Sequence, residues 1–126
     1  MKPLKKNNKR VFVLKKNTSF KKIFSLGLSF SSGDIVLMAL LREGVLDIVN
    51  VGFAVAKKPS LNSVKKNRIK RLLKEAVLKN IGFVNEYFSP GDYIVLYRGS
   101  YLPSSEQVSR GVLSTFKKLS TNKLNT

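Results

Sequence analysis

The apolar positions of this 126-residue chain change their period several times, and each change predicts an element. Phe20, Ile23 and Phe24 recur at helical spacing behind Asn17-Thr18, either of which can cap, and Gly27 suits a left-handed stop. Leu28 to Ser32 reads as a short edge strand, with a turn at Gly33-Asp34. Ile35 to Leu41 (IVLMALL) is a continuous apolar run of strand length, which expects cover on both faces. After a turn at Glu43-Gly44, residues 48 to 56 alternate. Val49, Val51, Phe53 and Val55 share one side, and Asn50, Gly52, Ala54 and Ala56 the other. These two strands are expected to pair as an antiparallel hairpin. The small-residue side implies that something packs closely on that backbone, or that a ligand strand approaches it.

Pro59 ends the alternation, and Asn62 or Ser63 can cap the next helix. Its stripe is Ile69, Leu72, Leu73, Ala76 and Val77, and Gly82 marks its C-terminal break. Pro90-Gly91-Asp92 is a turn before a compact strand, Tyr93 to Tyr97. Ser104 with Gln107 makes a capping box for a last helix, whose buried stripe is Val108, Val112, Phe116 and Leu119. Gly111 inside it costs about 1 kcal/mol relative to Ala. The expectation is one α+β domain over residues 1–126, a two-layer sandwich of about four strands and three helices in the order αβββαβα. The segment from 48–56 through the middle helix to 93–97 forms a βαβ crossover. Residues 1–10 are expected to be a basic mobile arm, and 120–126 a frayed tail.

Charge then changes the picture. The chain carries 24 Lys and Arg against seven acids, net +17, a field that favours nucleic acid first and an anionic membrane surface second. Nine of the cations lie between Lys57 and Lys79, against the single acid Glu75. On the helix, Asn67, Arg71 and Lys74 project opposite the apolar stripe, and Arg68 and Lys70 flank it. A merely solvated basic face is the bland reading of any one lysine. Nine so close together call for an anionic neutraliser such as a polyphosphate backbone. Phe20 and Phe24 are open to two readings, as core or as a stacking platform beside a basic groove.

Absences narrow the chemistry. There is no Cys and no His, the seven acids are scattered without a close pair, and no glycine-rich phosphate loop occurs. A self-contained active site is not expected, so no catalytic residue and no protein-bound metal is assigned. With no apolar run near membrane-spanning length and no secretory pattern at the N-terminus, the expected location is the cytoplasm.

Three stretches in register are similar to a known family. LKKNTSFKKIF (14–24), NVGFAVAKK (50–58) and NSVKKNRIKRLLKEA (62–76) resemble the protein component of bacterial ribonuclease P over roughly residues 14 to 119. The resemblance implies a subunit that assists a catalytic RNA in hydrolysing the phosphodiester at the 5′ end of mature tRNA. It implies Mg2+ bound mainly by the RNA, and two partners, the catalytic RNA and precursor tRNA. Lys65, Lys66, Asn67, Arg68, Lys70, Arg71 and Lys74 would bind the catalytic RNA. Phe20, Phe24, Val36, Met38, Ala54, Lys57 and Lys58 would line or flank a cleft for the single-stranded 5′ leader. A left-handed crossover around the basic helix is implied as well, against the right-handed rule for parallel units. Three features depart from the family pattern: the linker before the basic helix lacks the usual glycine and is one residue longer, and two positions differ. Lys66 stands where the basic core opens with Arg and so lacks the planar fork, and Met38 stands where an aromatic is common. Residue chemistry alone leaves a structural ribosomal protein as the alternative, with a DNA-binding helix module and an independent nuclease behind it.

Overall fold

A computed structural model describes residues 3–4, 10–14, 18–42 and 46–124. They form five strands and four helices: β1 (Val11–Val13), α1 (Thr18–Leu26), β2 (Leu28–Ser32), β3 (Ile35–Leu41), β4 (Val49–Val55), α2 (Ser63–Lys79), α3 (Ile81–Tyr87), β5 (Gly91–Tyr97) and α4 (Ser105–Leu124). The architecture is α+β around one mixed sheet of order β1-β4-β5-β3-β2. Two elements exceed the expectation. Strand β1 comes from the apolar VFV beside the basic arm, and α3 from residues that the alternation had left between helix and strand.

The expected β3–β4 hairpin does not form. Strand β5 inserts between the two, antiparallel to β3 (Leu37 opposite Val95) and parallel to β4 (Phe53 opposite Val95). A central position lets the apolar YIVLY run bury both faces and satisfy both edges, which a place at the rim could not. Its parallel pairing with β4 makes the segment through α2 and α3 a crossover. The true hairpin is β2–β3, closed by Gly33 at a φ of 58° in the two-residue turn.

Cross-strand partners share a face, so the sheet sorts its residues cleanly. On one face Val49, Val51, Leu37, Ala39, Tyr93 and Val95 join Ile69, Leu73 and Ala76 of α2, Val84 of α3, and Val112 and Phe116 of α4 in the main core. Among the described residues the other face carries α1 alone, through a small cluster of Phe20, Ile23 and Ile94 edged by Leu14, Met38, Leu40, Ala54 and Leu96. Helix α1 is therefore a partial further layer on an otherwise two-layer body.

Glycines and termini correct four finer expectations. Gly27 does not take the left-handed conformation. A Cβ there would lie 2.5 Å from the Ile23 carbonyl oxygen and 3.0 Å from that of Ala39, so close approach to β3 is what demands it. Gly82 lies within α3, and α2 ends instead at Asn80, whose Nδ2 donates to the Ala76 carbonyl at 2.9 Å. Helix α4 continues through Ser120 to Leu124, in place of the frayed tail, and residues 125–126 lie outside the described residues.

Of the basic arm, Leu4 is buried and its N–H donates to the Val11 carbonyl at 3.0 Å. Arg10 pairs with Asp47 at 2.8 Å and donates to the Asn85 carbonyl at 2.8 Å and to that of Phe88. That cation caps the C-terminal turn of α3, a use inside the fold. Residues 1, 2 and 5–9 of the arm lie outside the described residues.

Candidate nucleic-acid interface

Helix α2 starts where Asn62 accepts from the Lys65 N–H at 2.9 Å, which satisfies one of its orphan donors. Leu61, just before it, is buried in the main core. Ile69, Leu73, Ala76 and Val77 are buried, with Leu72 packed at their margin. The cationic side is thereby forced outward. Lys65, Asn67, Arg68 and Arg71 are exposed, while Lys66, Lys70 and Lys74 are half-buried along their stems. Glu75 is exposed as well, and no ion pair joins it to these cations among the described residues.

The leader-cleft candidates separate by depth. Phe20 is 6% exposed and lies on Gly52, where an added Cβ would meet its ring at 2.7 Å. The small-residue face thus receives a protein side chain, and Phe20 serves as core. Phe24, one turn on and 6.4 Å from Phe20 between ring centroids, is 48% exposed and presents its ring to solvent. Val36 is buried, Met38 and Ala54 are half-buried, Lys57 is exposed and Lys58 half-buried at the end of β4. On this sheet face Phe20 and Val36 make a buried floor with Met38 and Ala54 half-buried on it, while Phe24 and Lys57 keep accessible surface.

At the far end of this floor Asn50 donates through Nδ2 to Asp92 Oδ1 at 3.0 Å, and Arg42 pairs with the same oxygen at 3.0 Å. Asn50 is buried, and its Oδ1 has no partner among the described residues. Pairing to Asp92 fixes the amide's orientation, because a flipped amide would set oxygen against carboxylate.

The two candidate sets meet at Phe20 alone. Val13, Leu14, Phe20 and Phe53 join Lys70, Arg71 and Lys74 around a groove of about 410 Å³. It lies where β1 ends and where, among the described residues, the outer edge of β4 continues unpaired past Val51. By strand alternation, Phe53 and Val55 turn their N–H and C=O groups to this open edge. An apolar floor and three cations at one edge can hold an extended anionic chain, with its phosphates outermost.

The family model described as Ribonuclease P matches residues 8–120. The chain belongs to the ribonuclease P protein family. It is 42% identical over 90 residues to the ribonuclease P protein component of Natranaerobius thermophilus, covering 71% of this chain and 72% of that one. It is 33% identical over 118 residues to that of Bacillus velezensis, covering 93% of each. In fold it is similar to the RNase P protein of Staphylococcus aureus, with a TM-score of 0.68 at 24% identity over 84% of this chain and 93% of that one. The RNase P protein of Thermotoga maritima gives 0.67 at 22% identity, over 88% and 97%.

Within the family frame, Val13, Leu14 and Phe53 are the groove residues that sequence reasoning passed over. Val13 and Leu14 had a signal: VFVL at 11–14 is an uninterrupted apolar run inside a basic stretch, the mark of a strand. Among the described residues no three His, Cys, Asp or Glu come together as a metal site, and no helix is long and apolar enough to cross a membrane.

Proposed function

We propose that the chain is the protein subunit of a bacterial ribonuclease P, binding both the catalytic RNA and the 5′ leader of precursor tRNA to promote removal of that leader. The observation that carries this reading is the shared groove, in which cations of α2 stand over the Phe20 end of a half-covered sheet face. On this reading Lys65, Lys66, Asn67, Arg68, Lys70, Arg71 and Lys74 hold the catalytic RNA, largely through phosphate contacts that release counterions. The leader crosses the floor of Phe20, Val36, Met38 and Ala54 towards Lys57 and Lys58, and one base stacks on the free ring of Phe24.

Hydrolysis is assigned to the RNA. In support, the sequence has no His or Cys, and among the described residues no three acids come together. Mg2+ held mainly by the RNA would activate water and stabilise the leaving oxygen. The residues of this chain bind, orient and neutralise charge. We place the assembly in the cytoplasm.

The test is cleavage of a tRNA precursor by catalytic RNA at low magnesium, with and without the protein. Acceleration supports the reading, and a rate equal to that of RNA alone ends it in favour of a structural RNA-binding role. Trimming the leader to one or two nucleotides should shrink the acceleration. An unchanged benefit would remove the leader cleft from the reading and leave only the catalytic-RNA contacts.

A further inference from the structure

The outward side of α4 carries a second cationic groove, remote in sequence from α2. Arg110, Ser114, Lys117 and Lys118 recur at helical spacing and with Phe30 of β2 line a groove of about 800 Å³. We propose that this groove is a separate binding surface for a single-stranded stretch of RNA. The inference goes beyond the role in tRNA processing and does not depend on it.

Charge is the first support. Three cations face the groove, and the acid paired with one of them is Glu106, 3.5 Å from Arg110 with both side chains more than 70% exposed. A pair so open to water is weak and yields readily to a phosphate. Lys117 and Lys118 are exposed, and among the described residues neither has an acidic partner.

The edge of β2 is the second support, and it distinguishes RNA from peptide. Ser32 and Ile35 flank a two-residue turn, so alternation directs the N–H and C=O groups of Ser29 and Ser31 away from β3. Lys118 Nζ donates to the Ser31 carbonyl at 2.5 Å. The edge therefore keeps its N–H donors while one of its two outward acceptors is occupied. A peptide adding a strand needs donors and acceptors in alternation and loses half of the acceptors here. A phosphodiester chain, rich in acceptors and negatively charged, loses nothing.

The neighbouring recess is the third. It has a volume of about 440 Å³, shares Arg110 and Ser114 with the groove, and is lined by the exposed ring of Tyr101 over the buried Tyr97, with Asp34 beside them. Single-stranded RNA can turn one unstacked base into such an aromatic-lined recess while its backbone follows the cations.

The experiment titrates the 15N-labelled full chain with an eight-nucleotide oligouridylate and follows individual amides by NMR. The amides of Ser29 and Ser31 and the Arg110 side chain are expected to shift together as one site. In K117Q/K118Q, affinity at this site should fall at least tenfold, and its salt slope by about 1.4 for two single-strand phosphate contacts. The signals of Phe24 and Lys74 should keep their wild-type affinity. R110Q, altered at an exposed side chain, gives an independent reading should the double variant perturb the helix. Shifts confined to α1 and α2 would overturn the proposal. So would an acidic decapeptide of alternating Glu and Val that moves Ser29 and Ser31 more strongly than the RNA at equal concentration.

Discussion

The two faces of the sheet are built from the same strands yet have opposite characters. On the α2–α4 face, Tyr93, Val95, Leu37 and Val51 are fully buried beneath three helices, with Phe88 and Phe116 in edge contact at 4.9 Å. On the α1 face, among the described residues, Phe20, Ile23 and Ile94 make a small closed cluster, and Met38, Leu40, Ala54 and Leu96 remain half-open around it. Adjacent residues of one strand thus serve different ends. The first face holds the molecule together. The second leaves apolar floor uncovered next to the cations of α2, where an extended polyanion can lie.

If that division holds, the largest effect comes from the thick face. Phe116→Ala should destabilise the fold by about 3–5 kcal/mol, read from denaturant midpoints, because packing on three helices cannot close the cavity. Gly52→Val comes next, at about 1–3 kcal/mol, since its side chain must displace the Phe20 ring. It should also weaken leader affinity. A variant that keeps both its stability and its leader affinity would break the distinction between the faces.

Alkali tests the thick face in another way. Burial, aided by Tyr101 and Asp34, pushes the Tyr97 phenol up to about 12, and burial raises Tyr93 as well. Both folded-state values lie above that of an unfolded tyrosine near 10, so the unfolded chain loses its protons first. The stabilisation is complete below about pH 10 and declines as pH rises through the folded-state values. Melting temperatures recorded from pH 8 to 12 should fall above pH 10, and less steeply in Tyr97→Phe. Equal slopes would remove Tyr97 from this account.

The smallest change in stability is expected on the thin face. Phe24→Ala should alter stability by no more than about 0.5 kcal/mol, as for an exposed position. Its leader affinity should still weaken by the roughly 1–3 kcal/mol of one stacked base. Stability loss without binding loss would recast Phe24 as core and erase the contrast with Phe20.

Much of this was legible locally. The Ser104–Gln107 box is present in both directions, at 3.1 and 3.2 Å, and the buried side of α2 follows its sequence stripe. The small side of β4 announced a close approach, and Phe20 makes it. Its choice of partner was not legible, since Phe20 and Phe24 share one spacing and one chemistry. Only the position of Gly52 beneath the first ring makes one core and leaves the other free.

The sequence alone determined the excess of positive charge and, β1 and α3 excepted, the elements and their buried sides, because periodicity, capping and composition act within a few residues. Tertiary structure alone decided which strand lies beside which. IVLMALL, VNVGFAV and YIVLY are each apolar enough to pair with any other, yet it is β5 that takes the centre, between β4 and β3. It also decided which charges remain available: Arg10 is drawn into capping α3, while Lys70, Arg71 and Lys74 are brought to the Phe20 groove. Such choices depend on contacts between residues far apart in the chain, and no local pattern carries them.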